Sequence, residues 1–471
     1  MPMSDRKLLL PGSSCKLMVL VGSVVATHAF GIPADLAGQD AHHWTQQYGT
    51  RSILLGGAVI GSVTDLSGTY YNPGAVALNT EPAFLLSAQA FQYQSLTIED
   101  GAWPGIELSS STVRPTSDII AGNIPFNWLG KHRLAYSLVT RQRLNATLKA
   151  VFADTLDLLP AVPGDEFTDT ELILAQDLSE TWAGLTWSIP LTSNFGVGVT
   201  NYVAIRSQRT RFQDLTQAYS TTGDVGAAIT LKDYQFTDYR ALWKIGAAWR
   251  VGDALRLGAN VTTPSLHIAG SGETLQVETV SDVDLTGDGT SDGKVESDFQ
   301  DELQTQYRSS WAVGGGLGWF FGATGIHIAV EWYDDREQYD VLVTEPFVGQ
   351  TTGDILENRV VQELKDVTNF GAGLEHRFAE NLALYGGFST DFSAAVPQGG
   401  DNTSISKWDL YHASAGAEFT IASFDLLLGF TFSFGSQPID RLVEGSADDA
   451  EGTGLVTYRS LKAVIGFNVG F

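Results

Sequence analysis

From Phe424 onward every second residue is large and apolar: Phe424, Leu426, Leu428, Phe430, Phe432, Phe434. Between them stand Asp425, Leu427, Gly429, Thr431, Ser433 and Gly435. A repeat of two puts alternate side chains on opposite faces of a strand. The pattern returns in Ala241, Trp243, Ile245, Ala247, Trp249 and Val251, and again in Ala183, Leu185, Trp187 and Ile189. It closes the chain in Leu461, Ala463, Ile465, Phe467, Val469 and Phe471. A soluble sandwich with its apolar face inward would alternate too. Here, however, the opposite face holds Gly, Ser, Thr or Asn more often than charge, and the strands are long. Aromatic residues also gather at strand ends: Trp128, Trp187, Trp249 and Trp319-Phe320-Phe321. Long alternating strands with aromatic ends are the mark of an antiparallel transmembrane β-barrel, an all-β fold.

About fourteen strands are readable between residues 83 and 471. Tight connections such as "LGKH", "TS", "GD", "GA" and "AE" alternate with the long stretches 147–173, 271–297 and 437–454. Short turns on one rim and long loops on the other suit an outer-membrane barrel, and an even strand count returns both ends to the short-turn rim. Closure leaves no exposed sheet edge. No run of eighteen apolar residues is present, so no transmembrane helix is readable. The net charge of −26 leaves little to neutralise phosphates and argues against nucleic acid as a partner.

The first residues read as a secretory leader over 1–29. Arg6, Lys7 and Lys16 precede the apolar run Leu17–Ala26, and Thr27-His28-Ala29 offers small residues for cleavage near Ala29. The only cysteine, Cys15, lies within that leader. The expected organisation is a leader over 1–29, a plug over 30–81 and a barrel over 82–471, in the outer membrane of a Gram-negative bacterium. The expected partners are outer-membrane lipid and lipopolysaccharide, and the barrel assembly machinery during biogenesis.

The loops hold the acid. Residues 154–171 carry Asp154, Asp157, Asp165, Glu166, Asp169 and Glu171 with no Lys or Arg. The simplest reading is solvated outer loops. "DLTGDGTSDG" is sharper: Asp284, Thr286, Asp288 and Asp292 surround Gly289, and oxygen ligands at alternate positions around a turn glycine suit Ca2+. Thr286 replaces a carboxylate, however, and the usual bidentate acid is out of register. No other cofactor is indicated. No catalytic constellation is present, so no enzyme is expected. "GGGLG" (Gly314–Gly318) lies in a strand with no helix after it and reads as a thinned wall against a packed lumen, not a nucleotide fingerprint. His42-His43 reads as a solvent-facing polar pair.

Ahead of the first strand, the apolar run Ile53–Ile60 is too short to span a bilayer and needs shelter, which a barrel lumen offers. Asn72 can cap a short helix, Pro73 suits its first position, and Gly74 follows. The stretch Gly49-Thr50-Arg51-Ser52, Gly56-Gly57-Ala58, Asp65, Ser67 and Tyr71-Asn72-Pro73 resembles that of the FadL/TodX-type (OMPP1) outer-membrane transporters of long-chain fatty acids and aromatic hydrocarbons. It departs at Gly74-Ala75, where Ala-Gly is usual. The resemblance implies a fourteen-stranded barrel plugged by an N-terminal hatch of short helices, with substrate released sideways through the wall.

Passive uptake of hydrophobic small molecules is therefore the expected function. The alternative is a PorV-like barrel acting in protein secretion or outer-membrane assembly, and a polar-solute porin is disfavoured by the plug. Candidate ligand residues are of two kinds. Leu156, Leu158 and Leu159 sit in an acidic outer loop, where they would capture ligand or pack as a loop cap. Lys244, Arg250, Arg256 and Lys462 point inward by alternation, where they would guide a carboxylate or hold the plug.

Overall fold

The structure, a computed structural model, describes residues 41–79, 83–125, 130–284, 289–396, 407–421, 424–440 and 453–470. The leader, Thr286, Asp288 and Phe471 lie outside the described residues. Fourteen strands form the wall. The first eight are Ala83–Trp103, Ile106–Ile124, Arg133–Leu156, Glu166–Pro190, Phe195–Tyr219, Val225–Val251, Leu255–Thr262 and Ala312–Phe321. The last six are Thr324–Tyr333, Val367–Ala379, Leu382–Asp391, Leu410–Ile421, Phe424–Asp440 and Thr453–Gly470. Each pairs antiparallel with its neighbours, and the last closes on the first from Ala83↔Gly470 to Glu99↔Leu455.

The outward face explains why the strands alternate. Leu185, Trp187, Val203, Ile205, Tyr239, Ile245, Trp249, Phe370, Leu374, Phe388, Phe430 and Leu461 are all exposed. So large a contiguous apolar surface is untenable in water. On the sixth strand Tyr239 and Trp249 bound this belt. They are ten residues apart, ~33 Å of strand and about 25 Å of height at the usual tilt. That height matches the apolar band of an outer-membrane barrel.

The wall is uneven. The first six strands have 19 to 27 residues, whereas the seventh to twelfth have 8 to 13. The tall side absorbs much of what the sequence presents as loop. The third and fourth strands run through most of 147–173 and leave only 157–165 as a connection. The first two strands meet at a turn at Pro104-Gly105. The stretch 271–297 is largely a hairpin, Leu266–Ser281 with Lys294–Gln304, laid along the sixth strand. Above the belt the outer face meets water and not lipid, so nothing there forces an apolar outer face that would announce the strand.

On the short side the opposite happens. The stretches 298–321, 324–341 and 358–378 are each split into two strands. Their upper pieces leave the wall: Arg336–Leu342 pairs with Val360–Leu364, and Thr305 bridges Leu342. This small sheet folds inward and roofs the lumen with Tyr307, Tyr339, Val341, Leu342 and Val360.

Candidate functional site: a two-storey lumen and a seam in its wall

The lower storey is filled by the chain ahead of the first strand. Residues 41–79 thread down from beside the small roofing sheet, where Ala41 O accepts from Ala394 N, to the short-turn rim, where Leu78 O accepts from Arg250 Nη2 at 3.1 Å. Three short helices form on the way: Thr50–Leu54, Gly68–Tyr71 and Pro73–Val76. Helices this short are not stable by themselves and depend on their packing. Asn72 caps the third by accepting from Gly74 N at 3.1 Å, and its amide nitrogen donates to Ile60 O and Ala247 O, both at 2.9 Å. One side chain thus ties two plug segments to the wall.

Glycine makes the close approach possible. A Cβ on Gly74 would lie 2.7 Å from the carbonyl oxygens of Gly196 and Gly246, which rationalises glycine in this chain where the similar motif has Ala. The "GGGLG" strand shows the wall side of the same fit. Gly314, Gly316 and Gly318 abut Ile60, Gly61 and Ser62 of the plug, while Gly315 faces away.

Above the plug lies a layer of paired charge. Glu180 meets Arg206 and Arg240 at 3.0 Å each, Arg240 meets Asp238 at 3.2 Å, and Lys244 meets Glu331 at 3.2 Å. Glu331 also accepts from Trp44 Nε1 and Tyr333 Oη. Arg206 and Arg240 are fully buried. Ions so placed persist only when paired. The ring of Tyr307 roofs both guanidiniums at 4.1 and 4.5 Å.

The upper storey is apolar. Leu96, Leu108, Leu148, Leu174, Phe212 and Phe236 line it from the wall, beneath the lid residues and Trp408. A cavity under Trp408 and Leu410 passes Leu96, Gln92 and Tyr458 and reaches Leu144 and Arg143 on the third strand.

At that point the wall is unzipped. The second and third strands share a ladder only from Ile124↔Leu134 to Ile119↔Val139, although the third stays paired to the fourth throughout. Two sequence features meet at the break. Pro115 has no N–H to donate and suits only an edge or a bulge. Immediately past the last ladder pair, Ile119↔Val139, the third strand carries a bulge between Thr140 and Gln142, with Arg141 the extra residue. Arg141 and Gln142 are both buried on the lumen side. Above the break, two side-chain bonds cross the seam among the described residues: Arg114 Nη2 to Arg143 O and Thr147 N to Ser110 Oγ, each 3.1 Å.

The residues singled out in the sequence do not converge on one site. Lys244 is buried, paired with Glu331 and 4.6 Å above the Tyr70 ring. Lys462 is buried and donates to Thr45 O and Gln46 Oε1 of the plug. Arg250 holds the last plug turn, and Arg256 lies 4.3 Å over Phe320, where both line a cavity with Arg51 and Glu375. All four do face inward, but Lys244, Arg250 and Lys462 are engaged in holding plug and wall together. Leu158 and Leu159 are buried with Ala218, Val280 and Val283 in a small core at the tip of the tall wall, with half-buried Leu156 against it. Their amides donate to Glu166 Oε2. These are contacts of the kind a loop cap makes, with the leucines packed on neighbouring strands. Asp284 Oδ2 accepts from Gly289 N at 2.6 Å, and Asp292 N donates to Val283 O. Among the described residues no group of three His, Cys, Asp or Glu is placed to hold a metal. His42 and His43 are not solvent-facing. His42 Nε2 bonds Trp408 O, and the His43 ring stacks on Tyr333 at 4.0 Å.

No family model and no curated protein matches the sequence. Solved structures do match in fold. A FadL homologue from Pseudomonas aeruginosa aligns with a TM-score of 0.58 and 12% identity, over 92% of this chain and 100% of that one. The toluene transporter TodX of P. putida gives 0.59 and 14%, over 90% and 99%. The toluene transporter TbuX of Ralstonia pickettii gives 0.54 and 12%, over 90% and 99%. With its fourteen closed strands and short-helix plug, the chain is a FadL-type barrel in fold.

Proposed function

We propose that this chain is a passive channel, not an enzyme, for small hydrophobic molecules in the outer membrane of a Gram-negative bacterium. Cargo enters the apolar upper lumen and leaves sideways through the seam between the second and third strands. Long-chain fatty acids and aromatic hydrocarbons both suit such a lumen, and toluene transporters share the fold. Barrel assembly machinery would insert the protein, and lipid with lipopolysaccharide would surround it.

The observation that carries this reading is the contrast between the two ways out of the upper storey. Apolar cargo gains about 0.8 kcal/mol for each methylene it buries there. Going down, it meets the Glu180–Arg206–Arg240 layer, and breaking a buried ion pair costs ~3–5 kcal/mol. Beyond lies a plug fitted against glycine backbone. Going sideways, it meets a seam closed by two side-chain bonds, worth ~0.5–1.5 kcal/mol each. The sideways route is the cheaper.

The test is uptake by vesicles carrying the full mature chain. Toluene and 1-dodecanol should enter faster than in empty vesicles, and sucrose should not. Leu148→Asp, which puts charge into the apolar lining, should remove the gain. Raised sucrose entry would instead identify a polar porin.

A further inference from the structure

The seam carries two arginines that the plug does not use. Arg114, on the second strand, is the ladder partner of Gln92, which is buried and lines the cavity. Its side chain reaches across the break to the carbonyl of Arg143, and its Nε has no hydrogen-bond partner. Arg143, on the third strand, is exposed and ends the same cavity. Among the described residues, no carboxylate lies within ion-pair distance of either guanidinium. In a chain with 54 acidic residues against 28 basic ones, these two arginines lie close enough to repel each other, with Asp177 the nearby acid that acts on Arg114 from beyond contact. Of the other buried cations in this lumen, Arg206, Arg240 and Lys244 have an acid partner, whereas Lys462 is held by oxygens of the plug.

We propose that Arg114 and Arg143 form a carboxylate site at the seam, and that the head group of a hydrophobic acid is what opens it. This rests on the sideways route argued above. In the closed state Arg114 donates to a neutral carbonyl. A carboxylate arriving along the cavity is a stronger acceptor, because a bond between two ionised groups outranks one to a neutral oxygen. It also presents two oxygens to the guanidinium fork. Arg114 exchanges one acceptor for the other, and its bridge across the seam is released. Thr147 N to Ser110 Oγ then remains as the only crossing bond among the described residues. No covalent step is involved. A neutral cargo has no such exchange to offer and must wait for the bridge to break by itself. The preferred cargo class is therefore an apolar tail or ring bearing a carboxylate.

Two sets of variants of the full chain, in vesicles, test this. Arg114→Met should lower dodecanoate uptake by about tenfold, the worth of one charge-assisted bond, while 1-dodecanol uptake holds or rises. Arg114→Lys, which keeps the charge, should retain most dodecanoate uptake. Equal change for acid and alcohol in Arg114→Met would overturn the carboxylate site. The second set places cysteines at Ser110 and Thr147 and bridges them with a short bis-thiosulfonate. If bridging stops both probes and reduction restores them, the seam is the route, and the Arg114 result alone decides the head-group inference. If bridging changes neither, the sideways route itself fails and this site falls with it.

Discussion

The two storeys of the lumen are built by opposite means. The lower is sealed by fit and polarity: glycine backbone against plug backbone, Asn72 bonded to both plug and wall, and cations such as Lys462 holding the plug segment. The upper is lined by Leu, Ile and Phe, and its wall is incomplete on one side. A plug that must not leak needs many short-range contacts, each intolerant of change. A chamber for apolar cargo needs only surface without charge. The difference predicts that the lower storey is brittle toward small substitutions, and that the upper is sensitive to charge alone.

The largest expected effect tests that brittleness on adjacent residues. A side chain on Gly387 would collide with the backbone of Leu55 and Gly56, whereas on Gly386 the nearest atom is 4.0 Å away. Gly387→Val should cost ~1–3 kcal/mol or more through overpacking, seen as loss of heat-resistant folded barrel on electrophoresis. Gly386→Val should pass nearly unnoticed. Comparable damage from both would show that strand propensity, and not plug fit, sets the cost.

Asn72→Ala comes next. It removes the cap on Gly74 N and leaves the carbonyls of Ile60 and Ala247 without that donor, a loss of ~1–3 kcal/mol in plug docking. Sucrose leakage should rise while the barrel's melting temperature holds. A lowered melting temperature without leakage would mean that the plug supports the barrel and does not seal it.

The smallest effect lies on the tall wall, outside the belt. Burial pushes the Asp214 carboxyl up to about 6, against the pull of the Thr216 hydroxyl that donates to it. In the unfolded chain the same group titrates near 3.9. The folded state therefore holds the proton more tightly, and stability falls as pH rises from about 4 to about 6. Asp214→Asn should remove that fall. The variant should melt above the parent at neutral pH and with it near pH ~4. Equal melting at both would place Asp214 in water.

How much of this was legible in the sequence follows the membrane. Within the belt, lipid forces one face to be apolar, and fourteen strands could be read from alternation. Above it the signal fails, and the third strand shows why. Tyr136 and Leu138 face outward, but beyond the bulge at Arg141 the even positions Leu144, Leu148 and Ala150 face inward. One extra residue reverses the parity, and the upper strand then reads as loop. Inward placement of Lys244 and Lys462 was readable from parity. Their partners, Glu331 and the Thr45–Gln46 segment, were not, because distance along the chain says nothing about who meets across a lumen. Pro115 was in plain view, yet the seam also depends on the bulge at Arg141 on the neighbouring strand, and only the fold brings those two irregularities to one stretch of wall.

The central claim is that cargo leaves sideways past a plug that stays in place. Thr50 Oγ1 on the plug donates to Ser87 Oγ on the first strand at 3.0 Å, both buried. Cysteines at those two positions can therefore be joined in a disulfide that pins plug to wall. The measurement is toluene uptake by vesicles holding the Thr50→Cys, Ser87→Cys protein, before and after oxidation. The account predicts the same rate in both states. A rate that collapses on oxidation and returns on reduction would contradict it, because the plug would then have to move to let cargo through.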